Sequence, residues 1–241
     1  MLTKNQIKLI TSLVQKKQRS KHQLFTVEGK KAVDEFLRSS YKLHHLYAVH
    51  ADFNIESAYF TLISDAELKK ISALTTPQEV LAVFEIPKAK HVSTERLILA
   101  LDAVRDPGNL GTIIRLCDWF GVEHIVCSET TVDCYNPKVV QATMGSLTRV
   151  HLSYLNLEDF LRNAKVKKFG AFMDGNTIYE TTLPETGILI MGNEGSGIST
   201  DIEALIEHRL SIPSYSLHQS TESLNVATAT AILLSEFKRR G

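Results

Sequence analysis

The 241-residue sequence predicts an α/β fold, a mainly parallel sheet preceded by a smaller α/β domain. Three observations carry that expectation. The second half of the chain alternates short apolar runs with helix-spaced apolar positions, the pattern of parallel strands joined by crossover helices. A polar, aperiodic stretch, KAKHVSTE, follows Pro87 and separates that half from an N-terminal region with elements of its own. The composition is 44% hydrophobic with 27 Lys+Arg against 27 Asp+Glu, which excludes a disordered chain.

In chain order, Ile7, Ile10, Leu13 and Val14 fall at helical spacing, and the polar run from Gln15 to Gln23 predicts a basic loop. Phe25 to Glu28 reads as a strand ending at the turn residue Gly29, with a helix from Lys30 to Leu37. Leu43 to Val49, Tyr59 to Ile63 and Val80 to Ile86 read as strands, and Ser64 to Ser72 as a helix capped by Ser64 with Glu67 three residues on. The alternating half runs through Leu97 to Leu101, Leu110 to Phe120, Ile125 to Cys127, Pro137 to Leu147, Leu157 to Ala164, Phe169 to Met173, Ile188 to Met191, Ile202 to Ile206, Leu210 to Ile212 and Leu224 to Phe237. The domains are therefore expected at 1–87 and 95–241, joined by a linker at 88–94.

Several classes fall away on these counts. The start MLTKNQIKLI holds no long apolar stretch, and Val226 to Leu234 is too short to span a bilayer, so neither secretion nor membrane insertion is expected. Cys117, Cys127 and Cys134 are odd in number and lack C-x-x-C spacing, which indicates no disulfide framework and no metal site. Reduced thiols in a cytoplasmic protein are the expectation. The zero net charge conceals an asymmetry: residues 1–45 carry ten Lys/Arg against three acids, a surplus of seven that the rest of the chain offsets. Such a run is either a solvated helix face or a surface for phosphates.

Ligands of parallel sheets bind beyond the carboxyl ends of the strands, and three loops stand there. In the first, Asp106-Pro107-Gly108-Asn109-Leu110-Gly111, Asn109 reads as a helix N-cap, while Gly111 inside the first helical turn costs about 1 kcal/mol relative to Ala. Arg115 lies on the same face as Gly111 and reaches back towards the loop; an ion pair with Asp118 or Glu123 is the plain alternative. The second loop, Gly192-Asn193-Glu194-Gly195-Ser196-Gly197, reverses the dinucleotide fingerprint and has Ile198 where a P-loop needs lysine. Its glycines let backbone groups approach a planar ligand. The third runs from Ile212-Pro213 to Ser223-Leu224-Asn225, where Ser223 reads as the N-cap of an almost wholly apolar final helix, expected to be deeply buried either in the core or in a subunit interface.

Taken together and in this order, LDAVRDPGNLGTIIRLCDWFGV, NPKVVQATMGS, ILIMGNEGSGIS and IP followed by SLNVATATAILLSEF resemble the SpoU-type (TrmH-like) RNA ribose 2′-O-methyltransferases of the SPOUT superfamily. The resemblance covers roughly residues 95–240, and KKQRSKHQLFTVEGKKAVDEFL is similar to the small, ribosomal-protein-like RNA-binding domain that precedes the catalytic domain in many members. It implies a C-terminal trefoil knot, a homodimer formed through the methyltransferase domain, and S-adenosylmethionine as cofactor. It places Gly192, Ile212, Leu217 and Leu224 around that cofactor with Ile190 nearby, and backbone contacts at Ser216, Leu217 and His218. It makes Arg115 the residue nearest the proton transfer and gives Asn109, Glu194, Ser223 and Asn225 orienting roles. Under the same resemblance the basic run, with Lys16, Lys17, Arg19, Lys21 and Lys30, grips RNA, ribosomal RNA before transfer RNA. The loop from Ser214 to Glu222 is longer than usual in the family and holds no glycine. The alternatives are a non-catalytic RNA-binding protein of this fold and a tRNA 2′-O-methyltransferase; the complete set of polar motif residues favours an enzyme.

Overall fold

Thr3 opens the first helix, α1 (Lys4–Ser12), with a capping box: its hydroxyl accepts the Gln6 N–H at 3.2 Å, and the Gln6 side chain accepts the Thr3 N–H at 2.9 Å. The segment expected to be a basic loop is a second helix, α2 (Lys16–His22), closed by Gln23 in the left-handed region at φ 54°. Lys, Gln and Arg are good helix formers, and the one residue this helix buries is Arg19, so it has no apolar stripe for periodicity to reveal. In the computed structural model, which describes residues 1–216 and 223–239, the chain divides into two compact units.

The first unit comprises Met1–Lys88 and Asp133–Thr148. Its sheet, in the order β1-β4-β2-β3, is built from β1 (Leu24–Glu28), β2 (Leu43–Ala48), β3 (Phe60–Leu62) and β4 (Val80–Glu85). The apolar β4 lies antiparallel to both its neighbours, and β2 and β3 run parallel. Two helices join these strands, α3 (Lys30–Leu37) and α4 (Asp65–Ile71), and Ser64 and Glu67 form the expected capping box on α4. Residues 133–148, placed by the sequence reading inside the catalytic domain, pack here. Helix α6 (Pro137–Thr143) lies against β1, and the Tyr135 ring stands 4.6 Å from Phe25 in a cluster with Phe36, Tyr41 and Phe84. A buried aromatic group of this kind contributes through its large area and edge contacts, and no local pattern announces that a distant Tyr completes it.

The second unit comprises Ala89–Val132 and Arg149–Gly241. Its six-stranded sheet has the order β10-β8-β9-β5-β6-β7, with every pairing parallel. The strands are β5 (Leu97–Leu101), β6 (His124–Cys127), β7 (His151–Tyr154), β8 (Lys168–Thr177), β9 (Gly187–Met191) and β10 (His208–Ser211). Strand β7 escaped the sequence reading because HLSY buries only Ser153 and carries no apolar run. On one face Ile98, Ala100, Val126, Ile188 and Ile190 meet Leu157 and Leu161 of α7 (Leu157–Asn163) and Ile202 of α8 (Thr200–Glu203). On the other, Phe237 of α9 (Val226–Arg239) meets Phe169 of β8 edge-on at 5.3 Å, and α9 packs on α5 (Pro107–Trp119). Helix α9 buries Val226, Thr230, Leu233 and Phe237, whereas Thr228 and Ser235 are exposed in the single chain.

Candidate active site

The strand order reverses at β5, which has β6 on one side and β9 on the other, so the loops leaving β5 and β9 diverge from a crevice at their carboxyl ends. Backbone and side-chain bonds tie these two loops together. The Asp102 N–H donates to the Met191 carbonyl at 2.9 Å, and the Asp102 carboxylate accepts the Ser199 N–H at 2.8 Å. Asn193 organises the glycine-rich turn: its Oδ1 accepts the N–H groups of Gly195 and Ser196, and its Nδ2 donates to the Ala103 carbonyl at 2.7 Å. Ala103 is held at φ 57°, a left-handed conformation rare for a residue with a Cβ. A Cβ on Gly192 would fall 2.3 Å from backbone atoms of Gly197 and Ile198. Gly192 is therefore required first by the loop's own fold, rather than only by the close approach of a ligand.

Helix α5 begins at Pro107 with Asp106 as its cap, accepting the Asn109 N–H at 2.8 Å. This corrects the sequence reading of Asn109 as N-cap: Asp106 satisfies the free N–H, which leaves the Asn109 amide available. Likewise Asn225, not Ser223, caps α9. Its Oδ1 accepts the Ala227 N–H at 2.9 Å and the Thr228 N–H at 3.3 Å. That bond settles the amide's orientation, because only Oδ1 can accept. The Asn225 Nδ2 then donates to Asn109 Oδ1 at 2.9 Å, and Asn109 Nδ2 donates to Glu194 Oε1 at 2.8 Å. A relay of fixed polarity thus runs from the start of α9 through the start of α5 to a carboxylate on the glycine-rich loop.

Beside this relay lies a cleft of about 660 Å³ at the ends of β8, β9 and β10. Its walls include Gly192, Glu194, Ile212, Ser223 and Leu224, five of the residues predicted from sequence. Ala171, Phe172 and Met173 of β8 also line it and were missed, since an apolar run does not show which of its residues face a cleft. Ile190 is fully buried beneath the sheet's α7 face and is absent from the cleft walls, because the alternation of β9 turns it into the core. Leu217 and His218 lie outside the described residues. Apolar walls with scattered hydroxyls and backbone groups suit a cofactor that is part planar ring and part charged chain, and the volume is within the usual range of about 300–1,000 Å³.

Arg115 is exposed on α5 and joins none of these bonds. Its expected alternative partners are taken: Asp118 pairs with Arg149 at 2.8 Å and Glu123 with Arg96 at 2.5 Å. Among the described residues Arg115 has no ion-pair partner. In the first unit Lys16, Lys17 and Lys21 are exposed on α2, but Arg19 is not. It is 2% exposed, its guanidinium paired with Asp133 and donating to the carbonyls of Leu13 and Val14 at 2.8 Å each. Arg19 is therefore a buried strut and not part of a solvent-facing basic patch: every fourth residue of a short helix that leans on the fold must point inward. Lys30 is exposed and paired with Asp52. Among the described residues no cluster of three or more His, Cys, Asp or Glu could hold a metal, and no helix is long and apolar enough to cross a membrane. Cys117, Cys127 and Cys134 are buried and none is in a disulfide among the described residues.

The mainly parallel α/β sheet, with its switch-point loops bonded into one polar relay beside a cofactor-sized cleft, has the fold of SpoU/SPOUT methyltransferase structures. The chain belongs to the SpoU rRNA Methylase family, whose sequence pattern matches residues 96–235, and residues 4–82 match the MRM3-like substrate binding domain. It is 34% identical over 228 residues to the 23S rRNA (guanosine(2553)-2′-O)-methyltransferase RlmP of Bacillus subtilis, covering 91% of this chain and 90% of that protein. Among solved structures it is similar to a Porphyromonas gingivalis protein assigned to the TrmH family of RNA methyltransferases, at TM-score 0.92 and 44% identity over the whole of both chains. It is also similar to an S-adenosylmethionine-bound rRNA methyltransferase from Sinorhizobium meliloti, at TM-score 0.87 and 31% identity over 99% of this chain and 96% of that one.

Proposed function

We propose that this protein methylates a ribose 2′-hydroxyl of ribosomal RNA with S-adenosylmethionine as donor. The observation that carries the reading is the Asn225–Asn109–Glu194 relay beside the cleft, in a chain of this family. The protein is an S-adenosylmethionine-dependent RNA methyltransferase. Gly192, Ile212, Ser216 and Leu224 would hold the cofactor, with Leu217 as a further contact. When bound it supplies an electrophilic methyl group on a sulfonium. The protein's task is then alignment of the hydroxyl with that methyl and help with its proton. Arg115, exposed and without an ion-pair partner among the described residues, binds the phosphate next to the target ribose and polarises the hydroxyl. A guanidinium presents only N–H donors, so it binds the phosphate and the hydroxyl by donating to them. Glu194 is held by two amides, Asn109 at 2.8 Å and Asn193 at 3.3 Å, and orients the ribose. Ser223 at the cleft wall contributes a hydroxyl to the same task.

The first unit, with its match to a substrate-binding domain, selects the RNA through Lys16, Lys17 and Lys21. Domains at 1–87 and 95–241, a knot in the C-terminal half, a homodimer through the second unit and a cytoplasmic site of action complete the reading. Trp119, 84% exposed on α5, is apolar area that a second copy would cover. Incubation with methyl-labelled S-adenosylmethionine and either deproteinised ribosomal RNA or transfer RNA tests the proposal. Label in ribosomal RNA at one 2′-O-methylated nucleotide is expected; label in transfer RNA alone would reassign the substrate, and none in either, despite cofactor binding, would favour a non-catalytic RNA-binding protein.

A further inference from the structure

We infer that Arg105 binds a backbone phosphate of the RNA next to the one that Arg115 takes, and that Ser128 positions it; this rests on the function proposed above. Among its described residues the second unit has seven arginines. Five of them, Arg96, Arg149, Arg162, Arg209 and Arg239, pair with a carboxylate. The two that do not are Arg105, just before the cap of α5, and Arg115 on the same helix, and both are exposed. The acid beside Arg105 in sequence, Asp106, is turned to the Asn109 N–H instead. Arg105 stands four positions before Asn109, the middle link of the relay.

The backbone that presents Arg105 is fixed at successive residues. The Ala103 N–H donates to Ser128 Oγ at 2.9 Å, and the Ala103 carbonyl accepts Asn193 Nδ2 at 2.7 Å. Val104 is fully buried, and its carbonyl accepts the Val132 N–H at 2.9 Å. Ser128 is itself held, because its N–H donates to the Leu101 carbonyl at 2.9 Å and its Oγ lies 3.1 Å from Thr131 Oγ1. The Thr131 hydroxyl donates to the same Leu101 carbonyl at 3.1 Å, so the Ser128 proton points to Thr131 and a lone pair is left for Ala103. A left-handed Ala103, at φ 57°, persists only because its surroundings over-determine it, and turns of that kind gather at ligand sites. What this turn fixes is the direction in which the chain leaves Val104, and Arg105 is the first residue to leave. Setting the entry of α5 needs no particular side chain at 105, since Asp106 caps that helix.

A guanidinium has five donors and no acceptor, so its ligand is an anion rich in oxygen. The proposed reaction brings two such groups, the carboxylate of the cofactor and the phosphates of the RNA. No residue of 102–106 lies on the wall of the cofactor cleft, which selects the phosphate. Arg105 and Arg115 are ten positions apart, about 15 Å between Cα atoms at helical rise, and Arg115 leans back along α5 towards the turn. The two can therefore take neighbouring phosphates of one strand. Because the phosphate at Arg105 does not change during methyl transfer, this contact serves binding of the RNA and not the chemical step.

Methyl transfer to deproteinised ribosomal RNA by the full-length protein, with RNA binding followed across a salt series, tests the assignment. Arg105→Gln should raise KM for RNA about three- to tenfold with kcat within about twofold. It should also lower the slope of log affinity against log salt by about one, and Arg105→Lys, which keeps the charge, should restore that slope. Calorimetry should find S-adenosylmethionine affinity unchanged in both variants. Ser128→Ala removes the acceptor of the Ala103 N–H, and should raise KM by a smaller factor alone but not further when combined with Arg105→Gln. Thermal melting reports whether the Ser128 variant is folded; if it is not, the Arg105 variants carry the test. Additive losses in the double variant would overturn the positioning by Ser128. Unchanged KM and salt slope in Arg105→Gln, or a fall in kcat alone, would overturn the phosphate contact. Weakened S-adenosylmethionine binding would do the same, by giving Arg105 to the cofactor carboxylate. Absence of methyl transfer by the unaltered protein would instead remove the proposed function and this inference with it.

Discussion

Two arginines, one in each unit, sit on helices that begin close to a polar loop and look alike in sequence, yet they have opposite fates. Arg19 on α2 is 2% exposed, with its donors committed to Asp133, Leu13 and Val14. Arg115 on α5 is exposed, and the two acids expected as its partners, Asp118 and Glu123, are paired with Arg149 and Arg96. The difference teaches that a guanidinium's role is read from where its hydrogen bonds end. Arg19 stabilises the fold by satisfying two carbonyls and one carboxylate, whereas Arg115 has no ion-pair partner among the described residues, which is why we propose that it meets a ligand.

The strongest way to break that contrast is at Arg115. Arg115→Ala should lower methyl transfer by about a hundredfold or more, the usual cost of removing a donor to developing charge, while leaving S-adenosylmethionine affinity and the urea midpoint unchanged. A labelled-methyl assay alongside calorimetry would show it, and near-normal turnover would return Arg115 to an ordinary surface residue. Next comes Arg19→Ala, which strands the Asp133 carboxylate and two carbonyls in a buried site. A loss of about 3 kcal/mol in urea unfolding is expected, and a variant of native stability with weakened RNA binding would reverse the assignment.

A smaller effect sharpens the comparison on the exposed side of α2. Replacing Lys16, Lys17 and Lys21 with Gln should reduce the slope of log affinity for RNA against log salt by about two to three, with the fold intact; an unchanged slope would make the basic run a solvated face. Least of all, Asn225→Ala removes the cap of α9 and one link of the relay, and should cost about 1 kcal/mol of stability. If the relay matters to chemistry, that variant also loses turnover by more than its stability loss explains, as a comparison of single-turnover rates with melting temperature would reveal.

Most elements of the fold were legible in the sequence because burial leaves periodic traces. Leu97–Leu101 and Gly187–Met191 are buried along their whole length, as central parallel strands require, and read as apolar runs. The failures have the same origin. HLSY of β7 buries one residue and KKQRSKH of α2 buries only an arginine, so neither leaves an apolar trace. In the site, the polar residues Asn109, Glu194, Ser223 and Asn225 were nameable from their order along the chain, but the capping roles were exchanged. A cap is decided by which oxygen first reaches a free N–H, and here Asp106 and Asn225 do so in place of Asn109 and Ser223.

By itself the sequence determined that the chain folds into an α/β protein, with strand-end loops rich in glycine and amides, and that its positive charge is concentrated at one end, because composition and period are local properties. Only the tertiary structure decided that Asn225, Asn109 and Glu194 form one relay across 116 and 85 positions of sequence, that Arg19 faces inward, and that Ser128 and Asn193 pin the Ala103 turn. Those facts depend on which strands lie side by side and which donor reaches which acceptor first, and such neighbours are set by the sheet order rather than by the chain.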